Sequence, residues 1–320
     1  MIASYKGLLS LRKVIISLCF LFLCTACLKQ PANDMTKPIT ISPETRITQY
    51  LQELTGDDFS GRQAGSAGES QAGWYLASFM QKSGLLPSGE KGTYFQSFPL
   101  KRYEPVLVDR RMTFRLGSKT GETMSENILG LLPGLSDEII VVSAHYDHLG
   151  VIENRLYPGA NDNASGVAAI MELISAMQKE KPPYSVLFAF WGAEEMGLLG
   201  SGYFCDNPLI PLQKIKCVLN LDSIGNILPD KKILGWKANK VEPDSPVIET
   251  ISREGWVIEW ENNDRHSSDH ASFAKKEIAA YTLLSPRWLE NNHTPQDNIK
   301  TINTGQLAEL VLAIKKALLT

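Results

Sequence analysis

Five short apolar runs, residues 128–132, 139–144, 186–191, 218–221 and 278–284, alternate along this chain with segments of helical periodicity. Apolar runs of about four to eight residues without polar alternation are strands buried on both faces, and intervening helices are what cover such strands. Helical spacing recurs over residues 69–83, 166–177, 246–253 and 305–319, and Ser42-Pro43-Glu44 starts a helix carried by Ile47, Leu51 and Leu54. Residues 56–68, rich in glycine and polar side chains, read as a loop. The expected fold class is α/β in three layers: a twisted, mostly parallel mixed sheet with helices on both faces. The 320 residues, 43% of them hydrophobic, can build one large core, and no internal repeat or long insertion divides them. A single domain over residues 43–320 is expected.

The first 27 residues differ in kind. Lys6, Arg12 and Lys13 precede an apolar run over residues 14–23, and Thr25 and Ala26 lead to Cys27. A positive flank, a short apolar segment and small residues before a cleavage point make an export signal. The run is shorter than the roughly 20 residues a spanning helix needs. Thr25-Ala26-Cys27 resembles a bacterial lipoprotein signal, in which the cysteine becomes the lipidated first residue, although Cys24 stands where leucine is usual. Residues 1–27 are therefore expected to be a signal peptide, and residues 28–42 a flexible tether. The expected location is the cell envelope, periplasmic or attached to the outer membrane through a lipidated Cys27, with plain secretion as the alternative. A net charge of −3, from 32 Lys+Arg against 35 Asp+Glu, offers no basic surplus, and no nucleic-acid partner is expected. Of five cysteines, only Cys205 and Cys217 lie beyond the signal. They lack zinc-knuckle spacing, and either bridge each other or are buried separately.

Chemistry-bearing residues gather at strand ends. The run over residues 139–144 stops at His145-Tyr146-Asp147-His148, the run over 186–191 leads to Glu194-Glu195, and the run over 218–221 stops at Asp222. Asp162 lies in Gly159-Ala160-Asn161-Asp162-Asn163, just before a helix. In open α/β sheets, ligands bind beyond the carboxyl ends of the strands. Four carboxylates (Asp162, Glu194, Glu195, Asp222) gathered there would repel one another unless they take up protons or cations. Mixed imidazole and carboxylate donors suit zinc, with cobalt or manganese as substitutes.

Five segments together carry a family resemblance: Ala144-His145-Tyr146-Asp147-His148, Pro158–Gly166, Trp191–Gly197, Asn220-Leu221-Asp222 and His293-Thr294-Pro295, in that order. With Gly61-Arg62, Gly65-Ser66 and Ser268-Asp269-His270, the chain resembles the M28 family of zinc aminopeptidases, across nearly its whole length after the signal. The resemblance implies a zinc-exopeptidase-like fold and a metal-dependent exopeptidase that removes N-terminal residues from peptides with a free N-terminus. It implies two zinc ions per chain: His145 and Asp222 on one, Glu195 and His293 on the other, Asp162 bridging. Glu194 is implied as the general base, and Asp147 as the residue that orients His145 through its other ring nitrogen. His148, His266 and His270 are expected in structural or substrate-rim positions. Where many relatives carry tyrosine before the last histidine ligand, this chain has Asn292, which leaves the oxyanion-stabilising group open.

Two other readings stay in view. Glutaminyl cyclases, single-zinc acyltransferases, share the motif order, and a non-catalytic, metal-stabilised surface protein would keep the ligands too. Carboxypeptidase action would need a cation for the substrate carboxylate, and Arg265 and Arg287 are the late arginines that could supply one.

Overall fold

Helix α1 (Pro43–Leu54) starts where the sequence says it should: Ser42 Oγ accepts the Thr45 N–H at 3.1 Å, and Ile47, Leu51 and Leu54 form the buried stripe. The computed structural model describes residues 41–118, 121–237, 245–261 and 266–320. The expected signal peptide, nearly all of the tether and Arg265 lie outside the described residues. The expected loop over residues 56–68 is a correction. Asp57–Arg62 forms a 3-10 turn that buries Phe59 and Arg62, and α2 (Ala67–Lys82) begins two residues earlier than its expected start, capped by Ser66. Gly61 has φ of 68°, and a Cβ there would lie 2.5 Å from the Tyr157 carbonyl oxygen. Only glycine permits that approach.

The chain continues through β1 (Leu86–Pro87), β2 (Phe95–Lys101), the hairpin β3 (Tyr103–Val108) and β4 (Arg111–Leu116), and then β5 (Glu122–Leu132) and β6 (Ser136–His145). A small hairpin, β7 (Gly150–Ile152) and β8 (Arg155–Tyr157), precedes α3 (Ser165–Met177) and β9 (Tyr184–Trp191). Next come α4 (Leu199–Asp206), β10 (Ile215–Leu221), β11 (Lys232–Lys237), α5 (Pro246–Arg253) and β12 (Val257–Trp260). The chain closes with α6 (His270–Ala274), β13 (Ala280–Leu284) and α7 (Thr304–Leu319). One nine-stranded sheet runs β1-β5-β9-β6-β10-β13-β11-β12, with β2 also paired to β5. Its centre, β9-β6-β10-β13, is parallel; β5 on one side and β11 on the other are antiparallel to it.

Alternate residues of each central strand feed different layers. Ile140, Val142 and Ala144 pack with α1, α3, α5 and α7, whereas Ile139 and Val141 pack with Phe204 and Phe273 of α4 and α6. Each fully buried Leu, Ile or Phe contributes roughly 1.5–3 kcal/mol. Burial on both faces is why these strands read as continuous apolar runs. The bridge left open for Cys205 and Cys217 is absent: both are free and buried, in different layers. Gly200 lets α4 pack closely on the turn after β9, since a Cβ there would lie 2.3 Å from the Gly192 carbonyl oxygen. Among the described residues, no helix is long and apolar enough to cross a membrane.

Candidate metal centre

Because β9, β6 and β10 are parallel neighbours, their carboxyl ends open on one edge. His145 ends β6, Glu194 and Glu195 follow β9, and Asp222 follows β10. Asp162 enters from the turn before α3, and Asn292 and His293 from the segment after β13. Left-handed residues aim these side chains: Ala193, Ser223 and His293 have φ of 53°, 48° and 57°. Such conformations persist only where surrounding structure holds them, and they concentrate at functional sites.

All of the expected ligands meet there. His145 Nε2 lies 3.3 Å from Asp162 Oδ1 and 3.4 Å from Asp222 Oδ1. His293 Nε2 lies 3.2 Å from Asp162 Oδ2 and 3.0 Å from Glu195 Oε2. Asp162 thus stands between the two imidazoles, one oxygen toward each. Donor atoms of His145, Glu194 and Asp222 fall within 4.8 Å of one another, as do those of His148, Asp162 and Glu195. Two atoms that each sit about 2.1 Å from a tetrahedral zinc ion are about 3.4 Å apart, so these separations suit shared cations.

Electrostatics point the same way. Burial alone would raise Asp162, but hydrogen bonding to His145 and His293 holds its carboxyl well below the usual range. Burial acts likewise on Glu195, yet His293 and the His148 bond hold it at about 2. Burial disfavours charge on both His145 and His293, but their carboxylate neighbours raise both well above the ordinary imidazole value. The carboxylates thus favour positive charge at this edge, which a bound cation would supply. Glu194 moves oppositely: burial, then Asp269, Asp222 and Glu195, push it well above the carboxylate range against the pull of His145.

Asp147 and Asn292 belong to the supporting shell. Asp147 reaches His145 Nδ1 through its backbone oxygen at 3.2 Å, while its nearest carboxylate oxygen is 3.7 Å away. That carboxylate also accepts the backbone N–H groups of Glu194 (3.0 Å) and Glu195 (3.3 Å), clamping the acidic turn. Asn292 Nδ2 donates to Asp162 Oδ2 at 2.5 Å, which engages one of its two amide hydrogens.

Other holders were not legible beforehand. Asp297 accepts the N–H groups of Asn161 (2.8 Å) and Asp162 (3.0 Å), Ser268 Oγ donates to Asp222 Oδ2 (2.6 Å), and the Met112 carbonyl lies 2.6 Å from His293 Nδ1. A carboxylate four residues beyond His293 was the available sequence signal for Asp297. Arg62, wholly buried, donates to the carbonyls of Leu54, Tyr146, Pro158 and Gly159, tying α1 to the turns that carry His145 and Asp162.

The remaining histidines keep off the centre or at its margin. His148 Nδ1 bonds Glu195 Oε1 at 2.8 Å. His270 bonds Thr282 Oγ1 at 2.8 Å, and burial lowers it to about 4. His266 stacks edge-on against Trp288 at 4.9 Å. Beyond the acids opens a cleft of about 120 Å³, walled by Arg111, Trp236, His266, Leu284 and Trp288. Arg287 is directed to Glu290, 3.7 Å away, and does not line it.

With this geometry in hand, comparison with known proteins is informative. The model of peptidase family M28 matches residues 127–318. Aminopeptidase YwaD of Bacillus subtilis is 26% identical over 226 residues, covering 64% of this chain and 46% of that protein. The chain spans about half or less of the length of the curated relatives it matches first. Among solved structures, BSAP, a zinc aminopeptidase from Bacillus subtilis, aligns with a TM-score of 0.67 at 19% identity over 87% of this chain and 95% of that one. Glutaminyl cyclase of Bacteroides thetaiotaomicron aligns with a TM-score of 0.64 at 19% identity over 87% and 97%. These likenesses bear out the fold class, the α/β mixed sheet covered by helices.

Proposed function

The chain belongs to peptidase family M28, and from that premise we propose that it is a metal-dependent aminopeptidase acting on peptides with a free N-terminus. The observation that carries the reading is the pair of donor groups, His145 with Asp222 and Glu195 with His293, facing the two oxygens of Asp162. In this reading those five residues hold two zinc ions, with Asp162 shared. The identification of BSAP as a zinc aminopeptidase supports the choice of metal.

Zinc bound there supplies Lewis acidity and acidifies water near neutral pH. The protein does the rest. The substrate's free amino group enters at the end of the cleft lined by Asp162, Glu195, Asp222 and His293. Glu194 takes a proton from the attacking water and returns it to the leaving amine, a task that suits a carboxyl raised by burial above the usual carboxylate range. Asp147 fixes Glu194 and Glu195 through their backbone, while Asp297, Asn292 and Ser268 hold Asp162 and Asp222 in place. Such supporting contacts commonly contribute about 10- to 100-fold in metal affinity or activity.

Residues 43–320 act as one peptidase domain in this proposal. Residues 1–27 direct export, residues 28–42 are the tether, and Cys27 anchors the mature chain in the cell envelope. Fractionation should move the protein from membrane to soluble fractions in Cys27→Ser; an unchanged distribution argues against lipidation.

Metal analysis beside a substrate panel tests the central claim. Expected are two zinc ions per chain, cleavage of aminoacyl chromogenic substrates and no cleavage of N-blocked equivalents. One ion, with cyclisation of N-terminal glutamine, would instead establish the acyltransferase reading that the cyclase neighbour keeps open. Full metal occupancy without turnover of any substrate would leave a binding protein.

A further inference from the structure

The cleft has a charged wall that the proposed chemistry leaves unused. Opposite the acids stands Arg111, the one arginine or lysine among the described lining residues. It begins β4, immediately after a two-residue turn in which Asp109 and Arg110 have φ of 49° and 68°. Two successive left-handed residues make the hairpin turn whose twist matches the strands, so the hairpin is a stiff arm rather than a floppy loop. Its next residue, Met112, receives His293 at 2.6 Å, which moors the arm to the metal centre.

The arm presents a prepared guanidinium. Arg111 Cζ lies 5.9 Å from the centre of the Trp288 ring, and Trp288 is braced edge-on by Trp236 at 5.1 Å and His266 at 4.9 Å. A guanidinium held by its charge over an aromatic face keeps its N–H fork for a carboxylate, which it can receive through two parallel bonds. Arg111 Nε is buried and has no hydrogen-bond partner among the described residues, and no ion pair joins Arg111 to a described carboxylate. A buried donor without an acceptor is costly, and a ligand oxygen would remove that cost.

We propose that Arg111 is a specificity-determining residue that makes this cleft select substrates presenting a carboxylate within one residue of the scissile bond. The carboxylate has two sources of the same chemistry: the side chain of an N-terminal Glu or Asp, or the C-terminus of a dipeptide. The metal-centre end of the cleft takes the amine, Arg111 takes the carboxylate, and the small cleft admits a short span of peptide. The inference rests on the aminopeptidase reading of the site.

The test uses the zinc-loaded full chain and two substrate pairs. Glutamyl and glutaminyl p-nitroanilides probe the side-chain source; Leu-Gly and its C-terminal amide probe the terminal one. The carboxylate member of at least one pair should be preferred, and Arg111→Met should reduce that kcat/KM ratio at least about tenfold, mostly through KM. Arg111→Lys, which keeps charge without the planar fork, should retain part of the preference. A wild-type ratio near unity in both pairs overturns the proposal. So does an equal loss for both members of a pair in Arg111→Met, because the arm would then act only by mooring His293. Calorimetric titration with free glutamate and glutamine, and with Leu-Gly and its amide, separates this failure from failure of the peptidase reading. Without turnover, tighter binding of a carboxylate member that disappears in Arg111→Met still supports the Arg111 site, and equal binding within both pairs overturns it.

Discussion

Replacing Glu194 with glutamine should lower kcat by about 10²- to 10⁴-fold while leaving metal content unchanged, the range set by losing a general base. Glutamine keeps the shape of the side chain and its place on the clamped turn, where the backbone N–H groups of Glu194 and Glu195 are held by Asp147. What it removes is the capacity to accept a proton. Kinetics on a chromogenic aminoacyl substrate, with metal analysis of the same preparation, reads both consequences. A loss below about tenfold would remove Glu194 from proton transfer. A parallel loss of metal would make it a ligand, an outcome its position within 4.8 Å of the donor atoms of His145 and Asp222 makes worth measuring. Glu195→Gln is the contrasting variant: its carboxylate contacts His293 and His148, so metal content should fall with activity.

The central sheet was legible because β6, β9 and β10 are covered on both faces, and a strand with two dry faces can only be written in apolar residues. Most of the strands that escaped notice lie at edges or stand off the sheet; β11, paired on both sides by β13 and β12, is an exception. In β3 every side chain is partly or fully exposed, and β12, four residues long, buries none completely, so neither offers the apolar run that marks the central strands. Asp57–Arg62 escaped for a different reason. Its glycine is there for a close backbone approach, which composition alone reads as looseness.

Whereas His293, in a loop, entered only with the family resemblance, His145, Glu194, Glu195 and Asp222 stood out because polar residues at the ends of buried strands need a reason to be there. The atoms that hold them did not, because so many belong to the backbone. The Met112 carbonyl beside His293 and the Asp147 carbonyl beside His145 are present in every residue type, so no pattern marks them. Arg111 was invisible as a cleft residue since it arrives on a hairpin far upstream in sequence from Trp236 and Trp288. The Asp147 carboxylate, which the family resemblance puts beside His145, lies 3.7 Å from its Nδ1 and also takes the N–H groups of the turn after β9, a second task that the sequence does not mark.

Removing the metals should destabilise the protein strongly, and more so at higher pH. In the metal-free centre His145 and His293 carry raised pKa values because neighbouring carboxylates demand positive charge. An imidazole whose folded-state pKa is raised contributes stability that is fully present below its unfolded value and is lost as pH rises through the folded value. The metal-free protein therefore loses this compensation toward alkaline pH. The loaded protein does not, because metal binding needs the imidazoles deprotonated and releases those protons. By mass action, each site held at about a thousand times its dissociation constant adds about 4 kcal/mol. For a chain this long, each kcal/mol moves the melting temperature by about 2–4 °C, so each ion should raise it by on the order of 10 °C. Thermal melts with zinc or with chelator, at about pH 6 and about pH 8, should show a gap that widens at the higher pH. If zinc and chelator gave coincident melts at both values, the acids and imidazoles at this edge would be tolerating one another without cations, and the two-metal reading would have no physical basis.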